Sequence, residues 1–170
     1  MKELIDMLRE VGALKFGNFI LSSGKKSNVY VDIKTACTHP HILKKIAMLM
    51  HEKIKEIEFD KIACIELGGV PLAVALSLEV KKPYAIFRKE KKDYGIGGDL
   101  IGEIERNEKV VVVEDVTTTG KSAFSVVERV KEKGGRVVAV LTVVDREEGA
   151  KDLIPNLMPL LKLKDLLRQN

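Results

Sequence analysis

Apolar positions along the chain follow two rhythms. Leu4, Leu8 and Val11 recur at helical spacing and predict a short amphipathic first helix. The following segment, FGNFILSSGKKSNVYVDIK, sets β-rich pieces on either side of a Ser/Gly/Lys turn and predicts a hairpin. The helical rhythm returns from His41 to Ile57, with Leu43, Ala47, Met50 and Ile54 on one face. Lys61 to Glu66 predicts a short strand ending at Gly68-Gly69, after which Pro71 opens a helix to about Val80. Tyr84 to Phe87 predicts a strand that runs into a basic, Gly-containing stretch from Arg88 to Gly98.

Val110 to Val113 is an unbroken β-branched run, as expected of a strand covered on both faces in a parallel sheet. Ala123, Val126, Val127 and Val130 then fall at i, i+3, i+4 and i+7 and predict a helix, which Gly134-Gly135 ends. Val137 to Val144 predicts the next buried strand. Strands alternating with helices require right-handed crossovers, so the expected fold is α/β, a mostly parallel sheet flanked by helices. No repeat, low-complexity tract or linker divides the chain, and the expectation is one domain over residues 1–170. Ligands of such sheets sit at the carboxyl ends of the strands, which singles out the loops starting near Gly68, Arg88, Glu114 and Asp145.

Composition narrows the functional classes. An apolar share of 45% with 32% charged residues is that of a well-solvated globular chain. No apolar run approaches the roughly 18–20 residues that span a bilayer, and MKELIDMLREVG has no signal-peptide block. The expectation is a cytoplasmic protein that engages no membrane. Cys37 and Cys64 lack metal-type spacing and read as reduced, packed thiols. His39, His41 and His51 are not spaced as ligands on one helical face, so no metal held by side chains is expected. The net charge of +4 is mild, but Lys81, Lys82, Arg88, Lys89, Lys91 and Lys92 lie close together with Glu90 the only acid among them. That cluster is either a solvated turn or an anion-handling loop. With no second basic cluster, nucleic acid is not an expected partner.

The strongest chemical signal is VVVVEDVTTTGKS, from Val110 to Ser122. A buried strand, two acids, then a Thr/Gly loop leading into a helix make a phosphate cradle from loop amides, hydroxyls and a helix N-terminus. A phosphate alone would not call for Glu114-Asp115, whereas a ribose 5-phosphate offers vicinal hydroxyls for those carboxylates. Gly120-Lys121-Ser122 matches the tail of a Walker A loop, but that motif needs Gly where Asp115 stands. The plain alternative is an acidic pair that merely precedes and caps a helix.

Glu114 to Ser122 resembles the signature of the type I phosphoribosyltransferases, enzymes that use 5-phosphoribosyl-1-pyrophosphate (PRPP). The resemblance implies that Glu114 and Asp115 contact the ribose hydroxyls, while Val116, Thr117, Thr118, Thr119, Gly120, Lys121 and Ser122 wrap the 5-phosphate. Three further segments resemble orotate-specific members: FILSSGKKSNVYVD (Phe19 to Asp32) their N-terminal hood, FRKEKKDYGIGG (Phe87 to Gly98) their catalytic loop, and VVDREEG (Val143 to Gly149) the segment whose Arg holds the base. The resemblance thus implies a hood formed by about residues 1–35 with the C-terminal segment. It also implies an orotate pocket of Thr118, Arg146, Lys26 and Tyr30, and a homodimer whose basic loop serves the neighbouring subunit.

Orotate carries a carboxylate and imide oxygens, and a fixed planar cation such as Arg146 suits it. The alternative for Arg146 is a surface residue paired with Glu147 or Glu148. The implied reaction displaces pyrophosphate at the anomeric carbon through an oxocarbenium-like transition state, with no side-chain nucleophile. Arg88, Lys89 and Lys92 would neutralise the leaving group, with Tyr94 beside them on PRPP, and Asp115 would complete the catalytic set. Mg²⁺ is expected as the cofactor, carried by PRPP, with Asp115 reaching it through water. The chain departs from many members at Tyr94, where they have His, and at Ser22, where they have Lys; Gly68 replaces a Lys found in some. Two other readings stay open: transfer to a different base such as a purine, and a PRPP-sensing regulator that binds RNA without turnover.

Overall fold

The computed structural model describes residues 1–20, 24, 26–89 and 98–167. The chain enters through helix α1 (Lys2–Glu10), which buries Leu4, Ile5 and Leu8. Strands β1 (Leu14–Ile20) and β2 (Lys26–Val31) form the predicted hairpin, antiparallel from Leu14↔Val31 to Ile20↔Lys26. Val29 is buried while Lys26, Asn28 and Tyr30 are exposed, so the hairpin covers the molecule with one face only.

A short helix that the hydrophobic pattern did not indicate, α2 (Ile33–Cys37), follows. Asp32 caps it, accepting from the Thr35 N–H at 3.0 Å and the Thr35 hydroxyl at 2.8 Å. Five residues are too few to show a periodicity, which is why the pattern missed this element. Helix α3 (Pro40–Ile54) buries Ile42, Ile46, Ala47, Met50 and Ile54. Ala47, Met50 and Ile54 are buried as the pattern predicts; Leu43 is only partly buried, and Ile42 and Ile46 complete the face instead. The helix also stops at Ile54, short of the predicted Ile57, whose N–H closes a turn on the Ile54 carbonyl at 2.8 Å.

The sheet is built by β3 (Lys61–Ile65), β4 (Tyr84–Phe87), β5 (Leu100–Ile101), β6 (Lys109–Thr117), β7 (Arg136–Asp145) and β8 (Leu157–Lys162), in the order β5-β4-β3-β6-β7-β8. Every pairing is parallel except β4–β5, so the expected α/β class and mostly parallel sheet are what the chain forms. Helices α4 (Gly69–Val80) and α5 (Lys121–Glu132) are the crossovers, and α6 (Ala150–Leu153) and α7 (Leu163–Leu167) flank the last strand. Alternate residues of β6 serve opposite layers. Val111 and Val113 pack with Ile42, Ile46, Met50, Leu72 and Leu76, while Val110 and Val112 pack with Ala123, Val126 and Val130 on the other side. Strand β6 is longer than the valine run and includes Glu114 and Asp115, held by the pairs Glu114↔Thr142 and Thr117↔Asp145 with β7. Strand β8 escaped the sequence reading because Pro159 interrupts LMPLLK. Proline is tolerated there because β8 is the sheet's edge.

Candidate active site

The carboxyl ends of β3, β4, β6 and β7 converge on one region. Strand β6 delivers Glu114 and Asp115, 6% and 8% exposed. Beyond it the chain turns into α5 through Gly120, whose φ of +81° favours glycine and whose closeness to Ala150 (an added Cβ would lie 3.0 Å from its Cα) leaves little room for a side chain. Glu114, Val116, Thr117, Thr118, Thr119, Gly120, Lys121 and Ser122 line a pocket of about 260 Å³. Loop amides, Thr and Ser hydroxyls and the N-terminus of α5 thus surround a cavity, an arrangement suited to a phosphate dianion.

The two acids are held differently. Glu114 Oε1 accepts from the Asp115 N–H at 3.0 Å. Burial, then the charge of Asp115 and a hydrogen bond with its carboxyl, push the Glu114 carboxyl up to about 8. Asp115 Oδ1 accepts from the Val116 N–H at 2.8 Å, and Oδ2 accepts from Lys34 Nζ at 3.0 Å. Gly68 lies against this carboxylate, where a Cβ would come within 2.3 Å of Oδ2. Cys37 and Cys64 are free buried thiols pushed up to about 12, by burial first and then by Asp115 and Glu114 respectively, so both stay neutral.

The end of β7 builds the second part. Arg146 is only 5% exposed. Its Nη2 donates to Ser27 Oγ at 2.8 Å, its Nη1 to the Val29 carbonyl at 3.4 Å and its Nε to Glu148 Oε1 at 3.3 Å. It is therefore not a surface residue, although the expected alternative partner Glu148 does contact it. Glu147 instead pairs with Lys164 Nζ at 3.3 Å. The Arg146 N–H donates to the Thr117 carbonyl at 2.9 Å, tying the guanidinium's backbone to the phosphate loop. Tyr30 is 40% exposed with its ring 5.6 Å from that of Phe19. Lys26 lines a separate hollow of about 430 Å³ with Asn18, Phe19, Ile20, Ser27 and Asn28. Thr118 belongs to the phosphate pocket.

The basic stretch starts at the carboxyl end of β4. The Arg88 N–H donates to the Asp99 carbonyl at 2.8 Å, and the Lys89 N–H to Glu66 Oε1 at 2.8 Å. Lys92 and Tyr94 lie outside the described residues. Arg129 of α5 stacks over Phe87 at 4.5 Å and donates to the carbonyls of Arg88 (2.9 Å) and Asp99 (2.8 Å). Its contact with the Asp99 carboxylate at 3.1 Å completes a clamp on both ends of the stretch.

Lys34, Ser27 and Arg129 were not singled out in the sequence. Lys34 and Ser27 meet partners 81 and 119 residues away, and no local spacing signals such pairs. Gly68 was marked as the start of a strand-end loop and as a departure from a lysine, but its contact with Asp115 had no signal in the sequence. Among the described residues no group of three or more His, Cys, Asp or Glu is placed to hold a metal ion, and no helix is long and apolar enough to cross a membrane.

Known proteins share this architecture. The phosphoribosyl transferase domain family matches residues 33–156. The orotate phosphoribosyltransferase of Archaeoglobus fulgidus is 62% identical over 164 residues, 96% of this chain and 90% of that protein. The crystal structure of orotate phosphoribosyltransferase from Aeropyrum pernix superposes with a TM-score of 0.88 at 31% identity, covering 98% of this chain and 97% of that one. Leishmania donovani UMP synthase matches with a TM-score of 0.87 at 30% identity over 98% of this chain, which spans 37% of that larger protein. By matched length, identity and fold, the chain belongs to the orotate phosphoribosyltransferases of the phosphoribosyl transferase domain family.

Proposed function

We infer that this chain transfers the 5-phosphoribosyl group of PRPP to orotate, forming orotidine 5′-monophosphate and pyrophosphate in pyrimidine biosynthesis. The observation that carries the reading is the 2.9 Å bond from the Arg146 N–H to the Thr117 carbonyl, which joins a phosphate cradle to a buried, planar cation. A phosphate site next to a fixed guanidinium matches a ribose phosphate on one side and an anionic base on the other.

The 5-phosphate sits in the pocket of Thr117 to Ser122, and Glu114 and Asp115 accept from the ribose hydroxyls. The Arg146 guanidinium aligns orotate so that its ring nitrogen faces the anomeric carbon, with Thr118 reaching the base from the phosphate loop and Tyr30 and Lys26 from the hairpin. Arg88, Lys89 and Lys92 meet the pyrophosphate as charge builds on it. Holding both reactants in line removes most of the entropic barrier, so no covalent intermediate with the protein is needed. Mg²⁺, when bound with PRPP, would neutralise charge on the pyrophosphate. The Asp115 carboxylate, gripped on one lone pair of each oxygen, keeps others free and fits as its partner through water.

The enzyme is a homodimer in this reading, each basic loop completing the partner's site. Mixing Lys92→Ala and Arg146→Ala proteins, assayed at an orotate concentration where each alone is strongly impaired, should then raise activity above either, and exchange without recovery refutes loop sharing.

A panel of orotate, uracil, adenine, guanine and hypoxanthine, each with PRPP and Mg²⁺, tests the function. Orotate alone should be consumed with matching pyrophosphate release. Preference for a purine would overturn the reading.

A further inference from the structure

Lys34 has no part in the mechanism above, yet it touches the centre of the site. Its Nζ lies 3.0 Å from Asp115 Oδ2, across 81 residues of chain. Helix α2 brings it there, and the Asp32 cap fixes how that short helix starts. Three features then confine one carboxylate: Lys34 on Oδ2, the Val116 N–H on Oδ1 at 2.8 Å, and Gly68, where any side chain would fall within 2.3 Å of Oδ2. The pair does little for the fold. The Lys34 side chain is 59% exposed, and ion pairs this open to water contribute about 0–1 kcal/mol. Its value must be sought in what it does to Asp115.

We propose that Lys34 is the positioning residue of the ribose-binding carboxylate, holding Asp115 in one orientation and offsetting its charge so that the remaining oxygen lone pairs face the ribose hydroxyls. The inference rests on the reading of Asp115 as an acceptor for PRPP. Burial alone would weaken the Lys34 cation, but the hydrogen bond and charge of Asp115 outweigh it, so the ammonium is held above its ordinary range. With the Glu114 carboxyl pushed up beside it, Lys34 and Asp115 form the charged pair at the mouth of β6. Gly68 belongs to the same device, since a bulkier residue would push the carboxylate off the ammonium.

The test compares Lys34→Met and Lys34→Arg, each alone and combined with Asp115→Asn. The readouts are KM for PRPP, KM for orotate, calorimetric binding of Mg-PRPP, and Tm. Lys34→Met should raise the PRPP KM and Kd by roughly 10- to 100-fold, the scale of losing a residue that orients a metal-binding side chain from behind. The orotate KM and Tm should stay near the parent's, and Lys34→Arg should recover most of the PRPP affinity. In the Asp115→Asn background, Lys34→Met should cost nothing further, because the group it positions is gone. Parent-like PRPP affinity in Lys34→Met, or an undiminished second loss in the Asp115→Asn background, overturns the proposal. Should Lys34→Met unfold, Lys34→Gln carries the same comparison. Calorimetry with Mg-PRPP reads Lys34 whichever base the parent accepts, so failure here is distinct from failure of the orotate reading.

Discussion

The two halves of the site are built in opposite ways. The phosphate half is one unbroken segment, Glu114 to Ser122, in which a strand, a turn and a helix start are adjacent in sequence and in space. The base half is assembled across the whole chain: Arg146 reaches Ser27 and Val29, 119 and 117 residues away. The first half takes its backbone shape from adjacent residues, and Lys34 and Gly68 reach it from elsewhere in the chain only to fix the Asp115 carboxylate. The second exists only when the hairpin has docked on the carboxyl end of β7. Changes at Asp115 and in the loop should therefore act mainly on chemistry, whereas changes in the base half should act on orotate and on hairpin docking together.

Asp115→Asn gives the largest expected effect. The substitution keeps the shape of the side chain but turns a carboxylate into a mixed donor and acceptor facing the Lys34 ammonium and the ribose hydroxyls. Turnover should fall by roughly 10²–10³-fold, the scale of losing one preorganised electrostatic contact, with Tm nearly unchanged. Single-turnover kinetics and a melting curve check both halves of the statement. Parent-like turnover would remove Asp115 from the ribose.

Arg146→Ala comes next and probes the other half. Orotate binding should weaken by about 2–3 kcal/mol, the lower part of the range for truncating a desolvated charge, because two of the three partners left behind, Ser27 and the Val29 carbonyl, are neutral. PRPP affinity should change far less. Titration of each ligand separately decides the matter, and equal losses for both would place Arg146 outside the base pocket.

The contrast also explains what could be read in the sequence. The valine run, the Glu114-Asp115 pair and the Thr/Gly loop are consecutive, so both the parallel sheet and the phosphate cradle were legible there. Arg146 could be suspected from its place at a strand end and from the resemblance of VVDREEG to a base-holding segment, but nothing near it in sequence announces its partner Ser27. Lys34 was invisible for the same reason and for another: its helix has too few residues to show an amphipathic face. Strand β8 was hidden by Pro159, which argues against a strand anywhere except at an edge, and edge position is a property of the assembled sheet.

The acid pair yields a smaller effect, with a sign set by burial. Glu114 goes from an ordinary 4.5 to about 8 in the folded chain. Between those values the folded protein holds a proton that the unfolded chain has lost, so stability should decline as pH rises through that window. One group contributes at most on the order of 1 kcal/mol per pH unit. Urea midpoints at intervals from pH 5 to 8 should fall in the parent and fall less in Glu114→Gln, which cannot ionise. Parallel curves for the two proteins would mean that Glu114 is ionised in the fold.

Ser27→Ala is the mildest change and the sharpest test of how the base half is held. The Ser27 hydroxyl accepts from Arg146 Nη2 at 2.8 Å, donates to the Val29 carbonyl at 2.8 Å and accepts from the Val29 N–H at 3.1 Å. It therefore stiffens β2 and fixes the rotamer of Arg146 at once. Without it the guanidinium keeps Glu148 and the Val29 carbonyl, and water reaches the freed Nη2, so the loss should be about 1 kcal/mol, the net worth of one hydrogen bond. That corresponds to roughly a fivefold rise in the orotate KM. PRPP affinity should stay at the parent's value, because the phosphate loop touches Arg146 only through its backbone N–H. Combining Ser27→Ala with Arg146→Ala should add nothing to the loss of orotate affinity, since the hydroxyl acts through the guanidinium. A further loss in the double variant would show that Ser27 meets orotate itself, and the hairpin would then contribute contacts of its own to the base.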